Sequence, residues 1–346
     1  MSRKKPHLSM AEVDALTFED GQLFHDARGR AFSAPSPLAP LADTHGHLGS
    51  LEEHDPGMAL ARAALAGVRL LVCPIDPAFA HEFPDTWNDP AALEAWFEKS
   101  IDAARRHLAR FAELGLEPPT YTGAFEDVPE LLENVHLIAG AHPYSAGEFD
   151  DVARNRLEQL LASKRAVGVG EIGLDFGPYC EVPEDVQVHA FREQLRIAHA
   201  HGLPVELHLR DGEGNTHAHD VALAVLTQEG VPEAGCDLHC FTDDFTVMEP
   251  FVSLGCYVAF GGAATFKRSE AIRAAALACP GSRILSETDA PYMAPEPLRG
   301  GECEPAMVAF SAELLATIRA EVGMASKQET YEAFWVNAVR LCGLDQ

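Results

Sequence analysis

Basic side chains are scarce in this chain. Lys and Arg number 26 against 53 Asp and Glu in 346 residues, a formal net charge of −27, which excludes a protein that grips long nucleic acid through a broad basic face. A short end, a few nucleotides or a small substrate stays compatible with that charge. No stretch approaches 18 uninterrupted apolar residues and no apolar segment follows the basic start MSRKKPHLSM, so neither a membrane span nor a signal peptide is expected. The eight cysteines (Cys73, Cys180, Cys236, Cys240, Cys256, Cys279, Cys303 and Cys342) form no Cys-x-x-Cys pair. Several sit inside apolar runs, a usage that fits reduced thiols and a cytoplasmic location. Cys236 and Cys240 are expected on one face of a strand, CDLHCF, without the tight turn a structural zinc site uses. Internal repeats and low-complexity tracts are also lacking. Apolar residues are not, at 47%, enough for a globular core and too many for a disordered chain.

From Leu41 onward, short apolar or β-branched runs alternate with longer helical patterns, the signature of βαβ units around a parallel sheet. Eight strands are expected, at 41–48, 68–74, 136–143, 166–175, 204–210, 236–241, 256–262 and 284–291. Eight fit an α/β fold of the (β/α)8 TIM-barrel type better than an open sheet. The expected organisation is a single barrel domain over 41–346, an N-terminal extension over 1–40 lying across its body, and a helical insertion after strand 2 at about 76–135. The last follows from a second connection of about sixty residues, far more than one crossover helix needs.

In such a barrel, catalytic groups gather at the C-terminal ends of the strands. His45 and His47 stand two apart at the end of the first, so both imidazoles point to one side. Glu171 comes from the fourth strand, His208 from the fifth, His239 from the sixth and Asp289 from the eighth. A lone strand-end histidine is more often a core or surface residue than a ligand. Six nitrogen and oxygen donors on one rim are another matter, because two carboxylates and four neutral imidazoles in a barrel mouth are costly without a cation.

The sequence resembles the TatD-like metal-dependent hydrolases of the amidohydrolase-type barrel superfamily. The matching text is DTHGHL at 43–48, AHP at 141–143, VGVGEIGLDF at 168–176, PVELHLRD at 204–211, LHCFT at 238–242, TFK at 265–267 and SETDAPYMAP at 286–295. The resemblance implies a cofactor of two divalent metal ions (zinc, magnesium or manganese), one held by His45, His47 and Asp289, the other by His208 and His239, with Glu171 between them. A carboxylate has two oxygens and can span two ions, whereas a neutral imidazole offers one lone pair. It further implies phosphodiester hydrolysis at DNA ends by water that the ions acidify. In that chemistry Glu171, Asp289 and His142 are catalytic: Asp289 orients the water and His142 donates a hydrogen bond to the substrate phosphate. Lys267 and Arg210 are expected substrate contacts, Arg210 and Asp211 a pair that orients the site, and Arg299 with Glu304 a buried ion pair holding the last loop.

Other histidines are expected to be structural: His217 and His219 solvated or capping, His199 and His201 at a helix C-terminus where partial positive charge suits the dipole. Gly168, Gly170 and Gly173 spell a Gly-rich pattern, but inside a strand, so dinucleotide binding is not expected. Leu209 and the Asp243-Asp244 pair depart from the family's pattern, as does Cys303, and the first two touch the substrate side. Two other functions compete, hydrolysis of an amide or ester (an aminoacyl-tRNA linkage among them) and a non-catalytic barrel used for binding. The expected partner is a nucleic-acid end or a small phosphodiester, with no membrane and no obligate protein partner.

Overall fold

A computed structural model describes residues 7–78 and 89–345; part of the expected insertion, 79–88, lies outside the described residues. A first helix, α1 (Met10–Asp20), and a short hairpin (Phe24–His25 with Ala31–Phe32) precede eight parallel strands. These are β1 (Leu41–Asp43), β2 (Val68–Ile75), β3 (Val135–Ala139), β4 (Ala166–Asp175), β5 (Val205–Arg210), β6 (Cys236–Leu238), β7 (Tyr257–Phe260) and β8 (Ile284–Ser286). They lie in one sheet in chain order. Between them run α2 (Pro56–Leu65), α3 (Pro90–Ala112), α4 (Asp151–Leu161), α5 (Glu184–His201), α6 (His217–Glu229), α7 (Phe245–Ser253) and α8 (Glu270–Ala278), and α9 (Val308–Glu321) and α10 (Lys327–Leu341) close the chain. This is a (β/α)8 barrel.

The local causes are plain. VRLLVCPI of β2 is buried at all eight positions, the continuous apolar run of a parallel strand covered on both faces. Asp55, Asp150 and Asp244 accept backbone N–H groups at the starts of α2, α4 and α7, satisfying donors that a helix leaves open. Gly202, at φ 64°, ends α5 in the left-handed region. His199 and His201 fill the last turn of that helix as expected.

The seam between β8 and β1 matters most for function. Ser286 Oγ donates to Ala42 O at 2.9 Å and Thr44 N to Ser286 O at 3.2 Å. Beyond the strand ends, His47 N donates to Ala290 O at 2.7 Å and Asp289 N to His45 O at 2.9 Å. Closing the barrel therefore lays the loop after β1 against the loop after β8.

Five strands stop earlier than expected. β1 ends at Asp43, β3 at Ala139, β6 at Leu238, β7 at Phe260 and β8 at Ser286, so His45, His47, His142, His239 and Asp289 sit on the loops past them. Glu171 differs in the other direction: it lies inside β4, not at its end, because the pairing of β4 with β5 shifts between Val169 and Ile172 and then continues to Asp175 opposite Arg210. Cys236 and Cys240 do not share a strand face, since Cys240 follows the strand with φ 46°.

After β2, the long helix α3 packs along α2 in the outer layer. Gly57 permits the contact: a Cβ there would stand 2.4 Å from the Ala103 Cβ. Irregular backbone with two 3-10 turns leads on to β3. The extension packs on the same side, Phe18 stacking on Phe111 at 4.6 Å and Phe24 meeting Phe310 edge-on at 4.8 Å.

Arg62 of α2, 1% exposed, ties these parts together. Its Nε donates to both Glu304 oxygens at 2.9 Å, its NH1 to Thr17 Oγ1 at 3.1 Å and its NH2 to Leu23 O at 2.5 Å. Glu304 is thus paired with Arg62 and not with Arg299, whose guanidinium lies 4.0 Å above the Phe266 ring. Among the described residues, no helix is long and apolar enough to cross a membrane.

Candidate metal centre

The loops after β1, β6 and β8 and the middle of β4 and β5 bring six side chains to one point. His45 Nε2 and His47 Nε2 are 3.0 Å apart. Glu171 Oε1 stands 3.6 Å from the first and 3.4 Å from the second, and Asp289 Oδ1 3.8 and 3.7 Å from them. The other oxygen, Glu171 Oε2, faces His208 Nδ1 at 3.4 Å and His239 Nε2 at 3.3 Å, and these two nitrogens are 3.3 Å apart. Each oxygen of one carboxylate therefore addresses its own group of donors.

Glycines on β4 make this possible. A Cβ on Gly170 would be 2.8 Å from the Glu206 Cβ, and one on Gly173, at φ 141°, would be 2.2 Å from His208 O. The close approach of β4 to β5 sets Glu171 beside His208. Asp289 is itself held in the left-handed region, at φ 58°, a costly conformation for a side-chain-bearing residue that the seam hydrogen bonds maintain.

Three of the four imidazoles have a carboxylate behind them. His45 Nδ1 donates to Glu206 Oε1 at 2.6 Å, His208 Nε2 to Asp175 Oδ2 at 3.0 Å, and His239 Nδ1 faces Glu287 Oε2 at 3.9 Å. With the outer nitrogens of His45 and His208 engaged, their inner ones keep the lone pair toward Glu171, an arrangement typical of metal-bound histidine; His239 Nδ1 makes no hydrogen bond. Sequence reasoning missed these acids, yet each carried a signal. Glu206 stands two residues before His208 on one strand, so alternation puts both on the same side; Glu287 and Asp175 lie close in sequence to Asp289 and Glu171.

The residues fit a pair of divalent cations. Donors about 2.0–2.2 Å from an ion stand roughly 2.9–3.6 Å from each other, close to the spacing in both groups. Electrostatics points the same way. Burial opposes charge on His208, but hydrogen bonds to Asp175 and Glu171 outweigh it and push the ring up to about 9. Burial, with Asp237 and Glu171 nearby, drives Glu206 well above the usual carboxyl range, and burial with Asp289 nearby does the same to Glu287. The pocket buries more carboxyl groups than its own cationic side chains balance.

His142 stands at the edge of the second group, its Nε2 3.7 Å from Glu171 Oε2. Its Nδ1 accepts from Tyr144 N at 3.1 Å, which leaves the proton of the neutral ring on Nε2. Burial and the neighbouring His208 lower it to about 3, so it is neutral. Asp76 fixes this loop, accepting from Ser145 Oγ at 2.5 Å and His142 N at 3.1 Å. It alone among the described residues of 76–135 lines the cavity.

That cavity, about 980 Å³, opens above the donors. Arg210 lines it, 3.4 Å from Asp175 Oδ2, with NH1 donating to Tyr144 OH at 3.2 Å. Arg210 and Asp211 do not pair. Asp211 instead accepts from Ala218 N at 2.7 Å at the start of α6 and from His219 Nδ1 at 2.6 Å. His219 is consequently buried and not solvated, whereas His217 is exposed beside Glu184. Asp211, His219 and Asp243 form a third group of close donors, but the Asp211 oxygens are already taken up in anchoring α6. Lys267 is exposed after the turn at Gly262–Thr265 and is not among the residues lining the cavity. Its expected phosphate contact has no basis in its position.

Comparison with known proteins agrees with this geometry. Residues 42–343 match the family model of TatD related DNase. The chain is 36% identical over 215 residues to the uncharacterized metal-dependent hydrolase YcfH of Escherichia coli strain K12, covering 60% of this chain and 77% of that protein. It is 38% identical over 161 residues to the 3'-5' ssDNA/RNA exonuclease TatD of Cronobacter turicensis, 46% of this chain and 59% of that one. The crystal structure of YJJV, a TatD homologue from Escherichia coli K12, superposes with a TM-score of 0.64 at 27% identity, covering 88% of this chain and 98% of the other. The chain belongs to the TatD-related DNase family of metal-dependent hydrolases.

Proposed function

We propose that this protein hydrolyses phosphodiester bonds at nucleic-acid ends with two divalent cations. The observation that carries the reading is the division of Glu171, one oxygen toward His45 and His47 and the other toward His208 and His239. Cations held there would acidify a water and polarise the phosphoryl oxygen facing them. The chain's own residues supply the rest. Asp289 orients the attacking water and takes its proton. His142 donates from Nε2 to a phosphate oxygen as charge develops on it. Glu206 and Asp175 keep the rings of His45 and His208 in register, and Asp76 holds the His142 loop. The name of the Cronobacter relative, an exonuclease on single strands, favours the same substrate class.

The test is release of nucleotides from a single-stranded oligonucleotide by protein supplied in turn with magnesium, manganese and zinc. Release is expected with at least one metal and none in Glu171→Ala. Inert phosphodiesters together with cleavage of a carboxyl ester would replace this reading with amide or ester hydrolysis.

A further inference from the structure

A second cavity of about 610 Å³ adjoins the first, and Tyr144 and Tyr179 line both. Its remaining wall is largely apolar, including Val182, Pro183 and Val186 at the entry to α5. The two tyrosines are unusually open for large rings, Tyr179 at 78% and Tyr144 at 37% exposure. Tyr144 is also tied to the metal centre, its ring 4.7 Å from that of His142. A ligand reacting above Glu171 thus has a neighbouring aromatic cleft one ring away.

The charge around this path is distinctive. Single-strand binders combine aromatic platforms with a basic groove that tracks successive phosphates. Here the platforms are present without the groove. Arg210 is the one Lys or Arg among the described residues lining either cavity, while Asp211 and Asp243 line the first and Glu181 the second.

We infer that the cleft between Tyr144 and Tyr179 is a subsite for one nucleobase, and that the preferred substrate is of dinucleotide size. The inference rests on the phosphodiesterase reading and specifies its substrate. One phosphate sits at the metal centre, its flanking base stacks on the tyrosines, and further phosphates meet carboxylates instead of cations. Base stacking of about 1–3 kcal/mol corresponds to roughly 5- to 150-fold in affinity.

The test compares a dinucleotide, a decanucleotide of the same bases and methyl 4-nitrophenyl phosphate, which has no nucleobase, using the manganese-loaded protein. The expected results are a kcat/KM for the dinucleotide at least equal to that for the decanucleotide, and, in Tyr179→Ala and in the cavity-filling Val186→Trp, a dinucleotide KM raised about tenfold relative to that for methyl 4-nitrophenyl phosphate. A dinucleotide carrying 2-aminopurine should lose fluorescence on binding wild type and keep it with Tyr179→Ala, a readout independent of turnover. A decanucleotide preferred more than tenfold, or unchanged KM ratios and quenching in both variants, overturns the subsite. If methyl 4-nitrophenyl phosphate is still cleaved and that cleavage is lost in Glu171→Ala, the phosphodiesterase reading survives that failure; if none of the three is cleaved with manganese, magnesium or zinc, both fall.

Discussion

Two clusters of charge are buried in this molecule, and they balance differently. Around Arg62, the chain brings its own counterion: Glu304, fully buried, is paired by a guanidinium, and Asp14 and His54 lie beside them. Around Glu171, carboxylate oxygens and imidazole lone pairs face one another at 3.3–3.6 Å, with further acids behind the rings and, among the described residues, one guanidinium at the edge, Arg210, 3.4 Å from Asp175 Oδ2. Both clusters join segments distant in sequence at comparable burial. The first staples the extension, α2 and the last loop. The second is left short of positive charge, and a cation from outside is what completes it.

Removing the centre of each cluster should therefore damage different properties. Glu171→Ala is expected to lower activity by about a thousandfold or more and to abolish the shared metal site, with the fold kept, as circular dichroism and metal analysis would record. Arg62→Ala leaves Glu304 buried without a partner and should cost about 3–5 kcal/mol of stability, read from urea unfolding. Metal content per folded chain should stay at the wild-type value. Loss of metal in Arg62→Ala with little change in stability would break the comparison.

A smaller effect separates the ligands from the acids that steer them. Asp175→Asn keeps the shape but weakens the acceptor behind His208 and should reduce metal affinity about 10- to 100-fold, measurable by titration against a chelating dye. An unchanged affinity would show that His208 needs no such support.

The smallest effect is a pH dependence of the structural cluster. Burial pulls His54 down, but Glu304, the hydrogen bond to Glu302 and the charge of Asp14 outweigh it, and Arg62 opposes them; the net shift is upward. Because the folded value exceeds the ordinary 6.5, the contribution of His54 to stability is complete below pH 6.5 and fades as pH rises through the folded value. The advantage of wild type over His54→Gln, about 1 kcal/mol at pH 6, should shrink toward pH 9. A constant difference in urea midpoint would contradict this assignment.

The barrel and the six donors were legible in the sequence because both rest on strand periodicity. Apolar runs marked the strands, and each donor stands in such a run or just past its end. Glu206 shares the face of His208 by the same alternation, whereas Glu287 and Asp175 reach His239 and His208 only through the fold. Other features depend on contacts that no local pattern encodes. Arg62 and Glu304 are 242 positions apart, and a buried arginine in an alanine-rich helix looks like a solvated one. His219 reads as a surface histidine until Asp211, eight residues back across an irregular loop, is seen to hold both its ring and the start of its helix. Lys267 reads as a substrate contact, yet it stands exposed after the turn at Gly262–Thr265 and is not among the residues lining the cavity.

The most direct test is elemental analysis of the protein after reconstitution with divalent metal, run with thermal unfolding with and without chelator. The account predicts two equivalents per chain and an unfolding temperature raised by metal in wild type, since a ligand bound only by the folded state stabilises it. That increase should be lost in Glu171→Ala. Fewer than one equivalent, with the same unfolding temperature in the presence and absence of chelator, would contradict it.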